Sequence, residues 1–87
     1  MIGTDRFVII VYHDNHLKTS AWADSLEASL LWMKRLKANH EKFCLVDVGQ
    51  NYETLGSRLM EFLVMELGIN EADAKEEMYQ YMKREMR

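Results

Sequence analysis

Residues 7–12 read Phe-Val-Ile-Ile-Val-Tyr and are β-branched or aromatic throughout, which limits the folds open to this chain. In a β-strand, successive side chains point to opposite faces, and here both alternating sets are apolar. This pattern is typical of a central strand that is covered on both sides. The run therefore predicts a sheet with packing layers on both of its faces.

A tight turn is predicted directly after this strand. Asp14 and Asn15 both tolerate the left-handed backbone conformation that a two-residue hairpin turn requires. Residues 16–21 then form a second, more polar strand at an edge of the sheet. In an alternative, the next helix starts near Ser20, because Trp22 already fits its apolar face, and the second strand is very short or absent.

A helix is predicted over residues 24–39, where apolar residues recur at spacings of three or four. Asp24 and Glu27 match an N-terminal capping pattern. Residues 42–48 are almost continuously apolar and predict another inner strand. A strand, a helix and a further inner strand predict a crossover that places strand 42–48 parallel to strand 7–12.

Two helices complete the predicted outline. The first runs from about Asn51 to Leu67, and Gly68 is expected to end it in the left-handed conformation. The second runs from about Glu71 to near the end of the sequence. The predicted fold is ββαβαα, a small α+β domain over residues 1–87 in which three helices pack a three-stranded mixed sheet. A chain of 87 residues has room for one such domain.

Composition and charge argue against several classes of protein. The 11 Lys and Arg against 14 Asp and Glu leave a net charge of −3, whereas nucleic-acid-binding domains usually carry a basic face. No apolar stretch is long enough to span a membrane, and the run at residues 7–12 is too short for a signal peptide. A single cysteine and the absence of Cys-x-x-Cys favour a reducing, cytoplasmic setting.

The most reactive-looking side chains are His13, Asp14 and His16, together with Asp47 near the end of the third strand. If the first and third strands were parallel, their carboxyl ends would meet at one edge, where open α/β sheets bind ligands. These residues define an alternative hypothesis of a small ligand-binding, metal-binding or catalytic domain. The ligand spacing of a structural zinc site is absent, and Cys44 lies among apolar residues. We therefore expect no catalytic residue, no metal ligand and no cofactor.

The strongest signal is a surplus of apolar side chains on the predicted helices. Helix 51–67 is apolar nearly all round, which is typical of a helix buried on several sides. A small domain cannot bury every residue outside the main apolar faces, and Trp, Tyr and Met are enriched at interface centres. The residues expected to form a partner-binding surface are Trp32, Met60, Met65, Tyr79 and Met86, joined by the acidic Glu76 and Glu77.

This surface predicts a non-enzymatic protein–protein interaction module that acts as a small regulator, inhibitor or adaptor. Compact acidic domains without a catalytic site are common among such factors, including those encoded by phages and mobile elements. Residues 51–87 hold eight acidic and five basic residues, and the acidic groups are expected to steer the encounter with a partner. A homodimeric structural domain is a third hypothesis. The expected partner is another protein or a second copy, and neither a nucleic acid nor a membrane.

Overall fold

The computed structural model describes residues 6–39, 41–48 and 52–85. The three strands form one sheet in the order β2–β1–β3, and both neighbouring pairs are antiparallel. This arrangement confirms the predicted α+β class with three strands and three helices; the predicted helix start at Asn51 lies outside the described residues. The elements are β1 (Phe7–His13), β2 (His16–Ala23), α1 (Leu26–Ala38), β3 (Phe43–Asp47), α2 (Tyr52–Glu61), a π-helical turn (Phe62–Glu66) and α3 (Glu71–Glu85).

β1 and β2 form a hairpin around the turn that the sequence predicts. Asp14 and Asn15 have φ angles of 53° and 65°, and a type I′ hairpin turn requires positive φ at both central residues. β2 then continues to Ala23. The alternative in which the helix starts near Ser20 is therefore wrong.

The predicted parallel pairing of the first and third strands is also wrong. β3 runs antiparallel to β1, with Ile9 opposite Leu45. The hairpin is the cause, because α1 leaves from β2, which already runs opposite to β1. The crossover through α1 makes β3 parallel to β2 with β1 between them, so β3 is an edge strand and not the predicted inner strand. The neighbouring pairs are both antiparallel, and the predicted mixed sheet is therefore wrong.

β1 is buried on both faces, as its composition predicts. Val8, Ile9 and Ile10 have no exposed surface. Val8 and Ile10 belong to the main core, which α2, the π-helical turn and α3 close. Ile9 points to the other face. Because α1 contacts all three strands but adds no residue to the main core, it must cover the Ile9 face.

The contact between α1 and the sheet is made through small and half-buried residues. Ser25, rather than the predicted Asp24, is the N-cap, and its hydroxyl accepts a hydrogen bond from the Ala28 N–H at 3.2 Å. Ser29 is fully buried, and its hydroxyl donates to the Leu26 carbonyl at 2.7 Å. A serine at this contact buries little apolar area, and the large apolar side chains Leu26, Leu30, Leu31 and Trp32 of α1 remain exposed.

Gly68 ends the helical region after α2, as predicted. Its φ of 71° lies in the left-handed region that glycine adopts without strain. The Ile69 N–H that follows donates to the Leu63 carbonyl at 3.0 Å. The preceding turn is π-helical because the Leu67 N–H bonds to the carbonyl of Phe62, five residues earlier, at 3.0 Å.

Candidate functional site

The residues predicted to share one contact surface lie on two sides of the sheet. Trp32 is on α1, which covers one face. Met86 lies outside the described residues. The other predicted members lie in the helical layer on the opposite face, and they are Met60, Met65, Glu76, Glu77 and Tyr79. The structure therefore does not bring Trp32 together with the methionine, tyrosine and acidic residues.

Two residues of the helical layer are exposed as expected. Met65 and Tyr79 have exposed fractions of 77% and 62%. Met60 is half-buried and packs against the main core, so it fills space in the interior, as methionine often does. These positions leave Met65 and Tyr79 as the exposed members of the predicted surface in that layer.

Glu77 has a structural role that sequence patterns did not show. Its carboxylate accepts a hydrogen bond from the Leu17 backbone N–H at 3.0 Å and lies 3.0 Å from His16 Nδ1. Arg84, seven residues further along α3, donates to the Leu17 carbonyl at 2.6 Å. Both backbone groups of Leu17 are therefore bonded by side chains of α3.

The same face of α3 extends this contact along β2. The hydroxyl of Tyr81 lies 2.6 Å from Thr19 Oγ1. Glu77, Tyr81 and Arg84 are spaced by four and three residues, which places them on one side of a helix. α3 thus covers the outer edge of β2 with polar side chains.

Replacing Glu77 with alanine is expected to lower the free energy of unfolding by about 1–3 kcal/mol, because the Leu17 N–H loses a charged acceptor in a partly buried position. Urea unfolding followed by circular dichroism measures this loss. Glu76→Ala is the matched control, since Glu76 is exposed and its carboxylate contacts only Gln80 among the hydrogen bonds described. It is expected to change stability by less than about 0.5 kcal/mol. Equal losses in the two variants would assign the effect to helix charge instead of the edge contact.

The histidine turn and Asp47 do not form one site. His13 lies opposite His16 at one end of β1, whereas Asp47 lies opposite Phe7 at the other end. The seven-residue strand between them spans roughly 20 Å. No single ligand atom can reach both groups, so the arrangement required by the ligand-binding alternative is not formed.

Each of these polar groups has a local partner. Asp47 accepts two hydrogen bonds from the Arg6 guanidinium, at 3.0 and 2.9 Å, and this contact raises the pKa of Arg6. His13 Nε2 lies 3.4 Å from the Asp14 carboxylate on the surface. In the part of the chain that the structure describes, no three His, Cys, Asp or Glu side chains are grouped as a metal site requires.

α1 carries a set of large apolar side chains that remain exposed. Relative to the buried Ser29, the helical period places these side chains and their neighbours on two flanks of the helix. The Leu30 flank consists of Leu26, Leu30, Met33 and Lys37, and the Trp32 flank consists of Ala28, Leu31, Trp32 and Arg35. The exposed fractions are 52% for Leu26, 51% for Leu30, 68% for Leu31 and 37% for Trp32.

The Trp32 flank combines an aromatic ring with positive charge. The Arg35 guanidinium lies 5.4 Å from the centroid of the Trp32 ring, within cation–π distance. Leu31, Lys34 and Ala38 line the same shallow depression. The sequence analysis grouped Trp32 with the acidic Glu76 and Glu77, whereas the structure places Lys34 and Arg35 in the same depression as Trp32. The concentration of basic residues that follows Trp32 in the sequence indicated this charge.

A groove of about 630 Å³ runs along the open side of β3. Its floor includes Phe43 and Leu45, and Met33 and Lys37 of α1 contribute to one wall. The other wall comes from α2 and the π-helical turn, where Arg58 Nη1 donates to Glu66 at 2.8 Å. The groove thus lies between the two helical layers, at the sheet edge opposite β2.

Cys44 also lies at this groove, but the residue is almost fully buried, with 1% of its surface exposed. Burial raises the pKa of the Cys44 thiol to about 12. Because the thiolate is the nucleophilic form of cysteine, this environment disfavours reaction at neutral pH. The geometry agrees with the interpretation of Cys44 as a small core residue.

Comparison of the chain with known protein families, curated proteins and solved structures finds no match. None of the helices that the structure describes is long and apolar enough to cross a lipid bilayer.

Proposed function

We propose that this chain is a protein-binding module that acts without catalysis, as a small regulator, inhibitor or adaptor, and that it binds through the Trp32 flank of α1. One observation carries the proposal. Leu31 and Trp32 are exposed on a helix whose contact with the sheet is made by the fully buried Ser29. Burying such side chains against a partner is favourable by roughly 25 cal/mol for each Å² of apolar area.

The composition of the Trp32 flank supports this role. Tryptophan and arginine are enriched among the residues that dominate binding energies, and here the Arg35 guanidinium lies over the Trp32 ring. This contact restricts both side chains before a partner arrives, which lowers the entropy cost of binding. The flank therefore has the features of the centre of an interface.

The charge of the Trp32 flank indicates the chemistry of the partner. Lys34 and Arg35 lie beside the exposed Leu31, and the acidic residues expected to steer binding lie on α3, across the sheet. Complementary potentials accelerate association. We therefore propose a partner surface that combines acidic side chains with an apolar centre.

Affinity capture with three tagged forms of the protein tests this proposal. Leu31→Glu places a negative charge in the Trp32 flank, and Met65→Glu makes the same change at an exposed residue across the sheet. A protein captured by the wild type and by Met65→Glu, but reduced more than about tenfold with Leu31→Glu, is the expected result. Equal capture by all three forms would contradict binding through α1.

With the captured partner purified, Trp32→Ala is expected to weaken binding by more than about 2 kcal/mol, measured by isothermal titration calorimetry. Circular dichroism of the free variant provides the control, because Trp32 is 37% exposed and its truncation should leave the fold intact. An unfolded variant would show that Trp32 acts in the core.

A further inference from the structure

The two edges of the sheet differ in whether other parts of the chain bond to the outward-facing backbone groups of the edge strand. On β2, the backbone groups of Leu17 are bonded by Glu77 and Arg84, and the pairing with β1 is irregular at Ile9/Ile10. Side-chain cover and bulges are two means by which proteins prevent an edge strand from pairing with another chain. The β2 edge is therefore protected twice.

The β3 edge has neither form of protection among the described residues. The Lys42 carbonyl and the Val48 N–H bond to the β1 side, at 3.2 and 2.8 Å. Because bonding alternates along an antiparallel strand, the backbone groups of Phe43 and Leu45 point away from β1. In residues 6–39, 41–48 and 52–85, no group of the chain bonds to them. They form an open edge at the floor of the groove.

A second feature lies on the same side of the molecule. Met33 and Lys37 of the Leu30 flank line the groove together with Phe43 and Leu45. Leu30 belongs to that flank and is 51% exposed. Leu30 precedes Met33 by one helical turn on the same flank, so this exposed leucine lies close to the open strand edge.

We infer that these features form a self-interface, in which β3 pairs antiparallel with β3 of a second copy about a twofold axis normal to the sheet. The pairing joins two three-stranded sheets into one continuous sheet. The same axis keeps both α1 helices on one face and turns the Leu30 flank of each toward the other. One symmetric contact thus supplies a strand for the open edge and an apolar surface for the leucines.

The charges of α1 favour a second copy as the occupant. α1 has Glu27 in its first turn and, in its last turn, Lys37 of the Leu30 flank. A twofold axis sets the two helices antiparallel, so that the acidic end of each lies beside the basic end of the other. This arrangement also opposes the two helix dipoles favourably. The Trp32 flank lies on the other side of α1, so the dimer presents it twice and the two proposals are independent.

Two adjacent leucines provide a matched pair of variants for the test. Leu30→Glu alters the self-interface, and Leu31→Glu alters the Trp32 flank one residue away. Sedimentation equilibrium should give twice the chain mass of 10.3 kDa for the wild type and for Leu31→Glu at high concentration. Leu30→Glu should raise the dimer dissociation constant by at least about tenfold. Circular dichroism checks that both variants are folded.

The strand pairing is tested by removing one backbone donor. N-methylation of Leu45, introduced by ligating a synthetic segment at Cys44, removes an N–H that no described group of the chain uses. It should also raise the dissociation constant by at least about tenfold. A wild type that stays monomeric to about 1 mM overturns the inference and leaves the edge to an extended segment of another protein. A dimer that neither change weakens overturns it as well, because it must use another face.

Discussion

Phe62→Ala is expected to remove about 3–5 kcal/mol from the free energy of unfolding, because a large aromatic side chain leaves a cavity that the core cannot fill. Phe62 is 1% exposed and packs in the main core between the sheet and the helical layer. Domains of this size have total stabilities of about 5–10 kcal/mol. The substitution should therefore remove a large share of the stability, and urea unfolding followed by tryptophan fluorescence measures it.

Met65→Ala is the control for this prediction, because Met65 belongs to the same π-helical turn but is 77% exposed. Its truncation should change the free energy of unfolding by less than about 0.5 kcal/mol. A loss below about 1 kcal/mol for Phe62→Ala would show that the π-helical turn does not close the main core.

The second large effect is a loss of stability in alkaline solution. Burial raises the pKa of the Cys44 thiol from 9.0 to about 12, so the folded protein keeps this proton while the unfolded chain releases it. The stabilisation is fully present below about pH 9 and is lost as the pH rises toward about 12, which amounts to about 4 kcal/mol. Burial also raises the pKa of Tyr81 from 10.0 to about 12, and this acts in the same direction.

Unfolding of the wild type and of Cys44→Ala at about pH 7, 9 and 11 isolates the contribution of the thiol. The variant has no thiol to titrate, so the stability advantage of the wild type should shrink by about 2 kcal/mol, roughly half of the total, between the last two pH values. Alkaline loss that is identical in the two proteins would show that Cys44 is ionised in the folded state or is not buried.

Local features of the fold could be predicted because their causes lie within a few consecutive residues. The hairpin turn follows from the tolerance of Asp14 and Asn15 for positive φ. The central strand follows from the two apolar sets in residues 7–12, and the helix end follows from Gly68. None of these depends on a distant part of the chain.

The candidate surfaces were predicted less well. Trp32 was identified as an exposed aromatic residue, and it is 37% exposed. The prediction grouped it with residues of α3, because helix periodicity shows which side of a helix is apolar but not which face of the sheet the helix covers. Glu77 was assigned to that surface for its charge, yet it bonds the β2 edge.

The direction of β3 was predicted wrongly although the hairpin that decides it was predicted. The crossover through α1 starts from β2, which runs opposite to β1, so β3 is antiparallel to β1.

Residue chemistry, read along the chain, was therefore sufficient for the strands, the turn and the number of helices, since conformational preferences act over a few bonds. The closed edge of β2 depends instead on Leu17 meeting Glu77 and Arg84, at sequence separations of 60 and 67 residues. The open edge of β3 and the exposed flanks of α1 follow from how the layers pack around the sheet. Those features were decided by tertiary packing, because contacts between distant segments determine which polar and apolar groups are left at the surface.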